Sequence, residues 1–262
     1  MKGVGRELRA NSGHDELENQ SAKMSFLEHL DELRKRILRI VLYIGIGFAA
    51  SFYFSKIIYR FLSAPITRLL PDQKMAFTNL PDPFTLYMKV ALLAGIFLTV
   101  PFTLYEVWKF VAPGLYRKEK RYVVPFMFSS VILFIGGGAF CYYYVLPAAY
   151  GWLLNLGADF TPVIKIDEYM SLTNMMLLGF GLIFQMPVLV AFLSIFGMVT
   201  ARFLWTKFKY ALVLIVALAA LLSPTGDAFN LIIWTLPMVV LYFLSIGIAA
   251  IFGWRRKKAG LA

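Results

Sequence analysis

Long apolar runs alternate with short polar or basic segments along most of the chain. Runs of this kind cross about 30 Å of hydrocarbon as helices. We therefore predict an all-α integral membrane protein with six spans, at residues 37–54, 86–108, 122–146, 170–196, 210–222 and 228–253. Because the number of spans is even, both termini lie on the same side of the membrane.

The fifth span is predicted to be unusually short, since the apolar run covers only residues 210–222. At about 1.5 Å per residue, such a helix is about 20 Å long, which requires a locally thinned bilayer. The segment that follows contains Pro224 and Asp227. It predicts a tight hairpin in which Asp227 caps the sixth helix.

Two longer connections are predicted on the side opposite to both termini, which we call the distal side. They cover residues 55–85 and 147–169. The first contains four prolines, including Pro65. Prolines restrict the backbone, so we expect an ordered cap here rather than a flexible linker.

The N-terminal segment differs from the rest of the chain. Residues 1–24 are polar, and we predict a disordered extension; residues 25–258 are predicted to form one membrane domain. Ser25 and Glu28 have the spacing of a capping box, which predicts a helix start at Ser25. The apolar positions that follow recur with helical spacing and predict a face that lies on the membrane before the first span.

Composition and charge agree with this class and orient the chain. Hydrophobic residues make up 60% of the 262 positions and charged residues 16%, whereas soluble domains are about 25% charged. The net charge is +11. Most Lys and Arg residues precede the first span or follow the second, fourth and sixth, and basic loops favour the cytoplasm. Both termini are therefore predicted to be cytoplasmic.

Enzymatic chemistry is not indicated. Both histidines, His14 and His29, precede the first span, so no intramembrane nucleophile and base can be paired. The one cysteine, Cys141, lies in an apolar run and cannot form an intrachain disulfide or a multi-cysteine metal site. We predict no catalytic activity, no metal site, no cofactor and no nucleic-acid partner.

Three polar residues in the spans need an explanation. Lys89 and Glu106 lie near opposite ends of the second span, where long charged side chains are expected to snorkel to the membrane surface. Gln185 lies near the middle of the fourth span. Its amide is expected either to bond another helix of this chain or to contact an inserted partner helix.

Two acids stand out on the basic cytoplasmic side. Glu32 precedes Arg36 by four positions, and Glu119 lies among the four cations of residues 117–121. Each is either a solvated surface charge or part of a site for cations, since carboxylates bind guanidinium groups directionally. The residue types alone leave both interpretations open.

Several motifs resemble one family. Three motifs are HLDELRKR at residues 29–36, SAP at residues 63–65 and WKFVAPGLY at residues 108–116. They are followed by Glu119, the segment FQMP at residues 184–187, Ser223, Pro224 and Asp227. In this combination the chain resembles the C subunit of the twin-arginine protein translocase, the TatC family, from Phe26 to Lys258. We assign structural roles to four positions, Pro65, Pro113, Pro224 and Asp227.

The resemblance implies a fold, a function and a set of residues. The fold is a concave, glove-shaped arrangement of six helices in the bacterial plasma membrane. The function is to bind twin-arginine signal peptides and to support export of folded proteins driven by the proton-motive force. The partners are single-span A-type and B-type subunits and further copies of the chain. The family positions that bind the signal peptide correspond here to Glu32, Arg34, Phe110 and Glu119. The family position where partner subunits dock corresponds to Gln185.

Two other classes of function remain as alternatives. A small-molecule permease would need a polar pathway past Gln185. An intramembrane hydrolase would need a nucleophile and base that the spans do not supply.

Overall fold

The computed structural model describes the backbone of residues 4–70, 75–111, 123–223 and 227–258, and side chains between residues 28 and 252 of that part. Ten α-helices form in these segments. In chain order they are α1 Val4–Tyr53, α2 Ser55–Thr67, α3 Asp82–Val111, α4 Val123–Phe140, α5 Leu146–Leu156, α6 Ile166–Ile183, α7 Met186–Ile195, α8 Ala201–Thr206, α9 Phe208–Leu222 and α10 Ala228–Lys258.

Five helical stretches are long and apolar enough to cross a membrane. They are Glu28–Tyr53, Asp82–Val111, Val124–Leu156, Ile166–Ile195 and Ala228–Phe252, and α9 is a shorter apolar helix. The predicted all-α membrane architecture is confirmed. With 15 residues, α9 is about 22 Å long, so the fifth span is short, as its apolar run indicates.

The third span continues further than predicted. A π-helical turn, Cys141–Val145, joins α4 to α5 without a break. In this turn the Leu146 amide donates to the carbonyl of Cys141, so the chain passes the amide-less Pro147 and remains helical. The connection expected at residues 147–169 is therefore too long, because its first part belongs to α5.

The fourth span is broken into α6 and α7 at Phe184 and Gln185. Pro187 lies in the first turn of α7. Proline has no amide to donate to the preceding turn, and its ring crowds the carbonyl four residues earlier. Gln185 is therefore placed at a helix junction within the membrane.

The largest cluster of buried side chains joins α2, α3, α5, α6, α9 and α10; Val90, Leu146, Met170, Phe180 and Trp234 are among its most buried members. A smaller cluster joins Trp108, Phe126, Val188 and Ala191. Helix α1 packs mainly on α3, and α10 packs on α7 and α9. Helix α3 is thus the element that connects α1 to the rest of the bundle.

The termini and the connections contain several of the predicted features. Helix α1 begins at Val4, upstream of the predicted start at Ser25; the disorder of residues 1–24 stays a prediction. Pro65 is buried inside α2, which forms part of the distal cap. At the start of α10, Asp227 Oδ1 accepts a hydrogen bond from the Asn230 amide at 2.8 Å. Pro113 and Pro224 lie outside the described residues.

The contact between α1 and α3 depends on two glycines. A Cβ added at Gly95 would lie 2.6 Å from the backbone nitrogen of Phe48 and 2.8 Å from the carbonyl carbon of Gly47. Small residues let membrane helices approach closely. Since the obstructing atoms are backbone, no side-chain rotation can make room for a larger residue.

Gly95→Ala should therefore destabilise the protein by about 1–3 kcal/mol, the usual cost of overpacking. Gly45→Ala is the matched control, because a Cβ there has nothing within 4 Å. Thermal unfolding in detergent should give a lower midpoint for Gly95→Ala and an unchanged or higher one for Gly45→Ala. Equal midpoints for Gly95→Ala and the unmodified chain would contradict this packing.

Candidate functional site

Two buried charged side chains face each other between α1 and α3. Arg36 Nη1 donates to Glu106 Oε2 at 2.9 Å, and the two residues are 7% and 2% exposed. No other charged residue of the described part is buried. The expected snorkelling of Glu106 is therefore wrong, because its side chain is buried and a guanidinium from another helix pairs with its charge.

Glu32 binds the other side of the same guanidinium. Its Oε1 accepts from Arg36 Nε at 3.2 Å and also from Nη2. The four-residue spacing puts both side chains on one face of α1. About a third of the Glu32 side chain is exposed, so this carboxylate lies between the buried pair and the solvent. The structure thus forms a chain of contacts from Glu106 through Arg36 to Glu32.

A second arginine approaches the buried carboxylate more loosely. Arg39 Nη1 lies 3.6 Å from Glu106 Oε2, and half of the Arg39 side chain is exposed. Solvent screens an exposed ion pair strongly. Arg36 is therefore the main counter-ion of Glu106.

Aromatic side chains border this cluster. The rings of His29 and Phe110 stack at 4.6 Å with an interplanar angle of 20°. Lys109 Nζ lies 5.5 Å from the centre of the Tyr105 ring, within the range of a cation–π contact. Arg34 is exposed on α1. The structure thus brings Phe110 close to the helix that carries Glu32 and Arg34.

Glu119, the second acid predicted for the site, lies outside the described residues. Its position relative to Glu32 therefore stays a prediction.

Gln185 forms a hydrogen bond within the chain. Its Nε2 donates to the backbone carbonyl of Ser130 on α4 at 3.0 Å. The Ser130 hydroxyl accepts from Trp108 Nε1 at 3.0 Å. These bonds join α3, α4 and the junction of α6 with α7, which supports a structural role for the amide. Gln185 is also partly exposed, and its contact with a partner subunit stays a prediction.

Lys89 pairs with groups on α6 near the distal side. Its Nζ lies 2.6 Å from Asp167 Oδ1 and 2.8 Å from Ser171 Oγ. The Asn174 amide donates to the Lys89 carbonyl at 3.1 Å. Simple snorkelling does not describe this lysine, since an acid on a neighbouring helix fixes its ammonium group.

Metal ligands do not cluster in the described part of the chain, which contains no group of three His, Cys, Asp or Glu side chains suited to an ion. Cys141 is buried in the same part. The chemistry that the described residues offer is therefore ionic and hydrogen-bonding, with a carboxylate at the solvent edge of a buried ion pair.

Comparison with known proteins identifies the family. The family model described as Sec-independent protein translocase protein (TatC) matches residues 28–237. The chain belongs to the TatC family. A relative from Koribacter versatilis is 46% identical over 230 residues, which are 86% of this chain and 85% of that protein. TatCy of Bacillus subtilis is 36% identical over 242 residues, which are 92% and 94% of the two chains.

A solved structure shares the fold. A crystal structure described as the twin-arginine translocase receptor TatC matches with a TM-score of 0.77 at 32% identity, over 86% of this chain and 99% of that one. The predicted family and its function in protein translocation are confirmed. The chain is a multi-pass membrane component of this translocase, and the role of the family is transport.

Sequence reasoning singled out Glu106 as a charge within a span but did not place it in the candidate site. An acid inside a span is costly unless it is paired, and this rule was the available signal. Its partner could not be read from local spacing, because Arg36 precedes it by 70 positions. Glu32 was paired with Arg36 correctly, since that contact is local.

The two arginines at Glu106 should differ in their effects on stability. Arg36→Gln leaves a buried carboxylate without its main counter-ion and should cost about 3 kcal/mol. Arg39→Gln removes a half-exposed partner and should cost less than about 1 kcal/mol. The measurement is thermal or denaturant unfolding in detergent. Equal losses for the two variants would refute the unequal roles assigned to these arginines.

Proposed function

We propose that this chain is the signal-peptide receptor and core scaffold of a twin-arginine translocase in a bacterial plasma membrane. With single-span A-type and B-type subunits, and with further copies of itself, it supports export of folded proteins driven by the proton-motive force. Membership of the TatC family supports this proposal, as does similarity to a structure described as a twin-arginine translocase receptor.

The observation that carries the proposal is the placement of Glu32. Its carboxylate is partly exposed, and both hydrogen bonds from Arg36 end on Oε1. Among the described residues, no hydrogen bond to Oε2 is present. This oxygen can accept a bond from an incoming guanidinium without loss of the internal contact.

Selection of arginine over lysine follows from the geometry of the two cations. A guanidinium has five donors in a planar fork that matches a carboxylate, whereas an ammonium is a compact point charge. The flat faces of His29 and Phe110 lie nearby, and a guanidinium can stack on such rings. Phe110 and Arg34 are thus proposed to line the same binding surface, and Glu119 is proposed to accept the second arginine.

The site lies on the side where signal peptides are presented before export. Glu32 precedes the apolar part of α1, next to the basic residues Arg34, Lys35 and Arg36. Basic segments favour the cytoplasmic side. We therefore place both termini and the Glu32 surface in the cytoplasm.

Gln185 is proposed to contact a partner subunit within the bilayer. The helix break places its amide beside α4, and the side chain is partly exposed. An amide at this depth can bond a polar group on an inserted helix, for about 0.6–2 kcal/mol.

Glu32→Gln should weaken binding of a peptide that carries the arginine pair by about tenfold or more, since a charge-assisted bond contributes about 1.5–3 kcal/mol. Asp31→Asn is the matched control. Asp31 is the neighbouring acid, and its exposed carboxylate pairs with Lys35 at 3.0 Å. Equilibrium binding of this peptide to the purified variants in nanodiscs gives both affinities. Equal affinities for Glu32→Gln and Asp31→Asn would remove Glu32 from the site.

Gln185→Leu should reduce copurification of a single-span subunit, because leucine offers no hydrogen bond to an inserted helix. Gln185→Glu, which keeps an acceptor at the same position, should retain the subunit. Unfolding midpoints measured in parallel separate this effect from loss of the bond to Ser130. Full recovery of the subunit with Gln185→Leu would contradict the contact.

A further inference from the structure

We propose that Glu106 is a positioning residue of the receptor site: its buried charge compensates Arg36, so that the charge of Glu32 remains available to an arginine of the signal peptide. This inference rests on the proposed function, since it concerns how the same site attracts its ligand. Glu106 itself does not reach the ligand.

The balance of charge among the three side chains favours this role for Glu106. Arg36 is buried and bonded to Glu32, and charges in a low-dielectric setting interact strongly. Glu32 and Arg36 alone would form a neutral pair with little attraction for a further cation. Glu106 adds a second negative charge at 2.9 Å from Arg36 Nη1, so the three side chains together carry one net negative charge. Arg39 and Lys109 also lie close by, but both are exposed and water screens them.

The two acids bind different donors of the Arg36 guanidinium. Glu106 accepts a hydrogen bond from Nη1, whereas Glu32 accepts from Nε and Nη2. The acids therefore do not compete for the same donors. Because Glu106 is held on α3 inside the bundle, it fixes the guanidinium, and the guanidinium in turn fixes one oxygen of Glu32. The other oxygen is left for the ligand.

Burial also distinguishes Glu106 from Glu32. Glu106 is 2% exposed, and a buried acid needs a partner at a fixed position. A purely structural pair would need one acid for one arginine. The structure gives Arg36 two acids, of which one is buried and one is partly exposed. The excess charge thus lies at the edge that faces solvent.

The test measures the affinity of a fluorescent twin-arginine signal peptide for the full chain in nanodiscs. Glu106→Gln keeps the shape of the side chain and an acceptor oxygen but removes the charge, and it should weaken binding by about tenfold. The double variant Arg36→Gln/Glu106→Gln removes both buried charges and leaves Glu32 charged. It should bind at least about threefold more tightly than Glu106→Gln, with recovery incomplete because Glu32 also loses the contact that fixes its first oxygen.

Tighter binding by the double variant than by Glu106→Gln is the deciding result. If the role of Glu106 were merely structural, the variant with two substitutions would bind the peptide no better than the variant with one. A double variant as weak as Glu106→Gln would overturn the proposal, and so would unchanged binding by Glu106→Gln. Glu106→Asp keeps the charge and should bind within about threefold of the unmodified chain; a tenfold loss there would equally count against charge compensation. This variant supplies the answer if Glu106→Gln does not fold.

Glu32→Gln separates this proposal from the one on which it rests. If Glu32→Gln leaves binding unchanged, the assignment of Glu32 as the arginine acceptor fails. If Glu32→Gln weakens binding but the double variant binds as weakly as Glu106→Gln, Glu32 remains the arginine acceptor and the role of Glu106 is refuted.

Discussion

Arg36 and Glu106 form an ion pair between α1 and α3, where both side chains are almost fully buried. Removing two charges from water is expensive, and their attraction offsets this cost only when the geometry is good and the remaining donors are used. This constraint fixes the position of α1 along α3. The glycine contact at Gly47 and Gly95 brings the same two helices together further along, and Glu32 takes its orientation from Arg36.

Ionic and neutral polar contacts both join α3 to its neighbours. Near Glu32 the bonds are ionic and lead toward solvent. Two residues beyond Glu106, Trp108 belongs to a neutral set with Ser130 and Gln185 that joins three spans, which suits a region where unpaired charge is costly. At the distal side, Lys89 and Asp167 connect α3 with α6. Helix α3 therefore takes part in each of these three sets of contacts.

Much of the fold could be predicted from the sequence, because the thickness of the bilayer determines how long an apolar run must be to cross it. The six spans and the short α9 follow from hydropathy. The break of the fourth span near Pro187 was not predicted, because the apolar run of residues 170–196 continues through it. The continuation through Pro147 into α5 was not readable, since it depends on a π-helical turn. The motif from His29 to Arg36 indicated a cytoplasmic site, but the part of Glu106 in it required the tertiary contact with Arg36.

The Glu32 surface of α1 is proposed to receive the arginine pair. A photocrosslinking amino acid at position 28, one helical turn before Glu32 on the same face, tests this when signal peptides with Arg-Arg or Lys-Lys are presented to membrane vesicles. We expect a crosslink to the chain that requires the arginine pair and is lost with Glu32→Gln. A crosslink of equal strength with both peptides, or none with either, would contradict it.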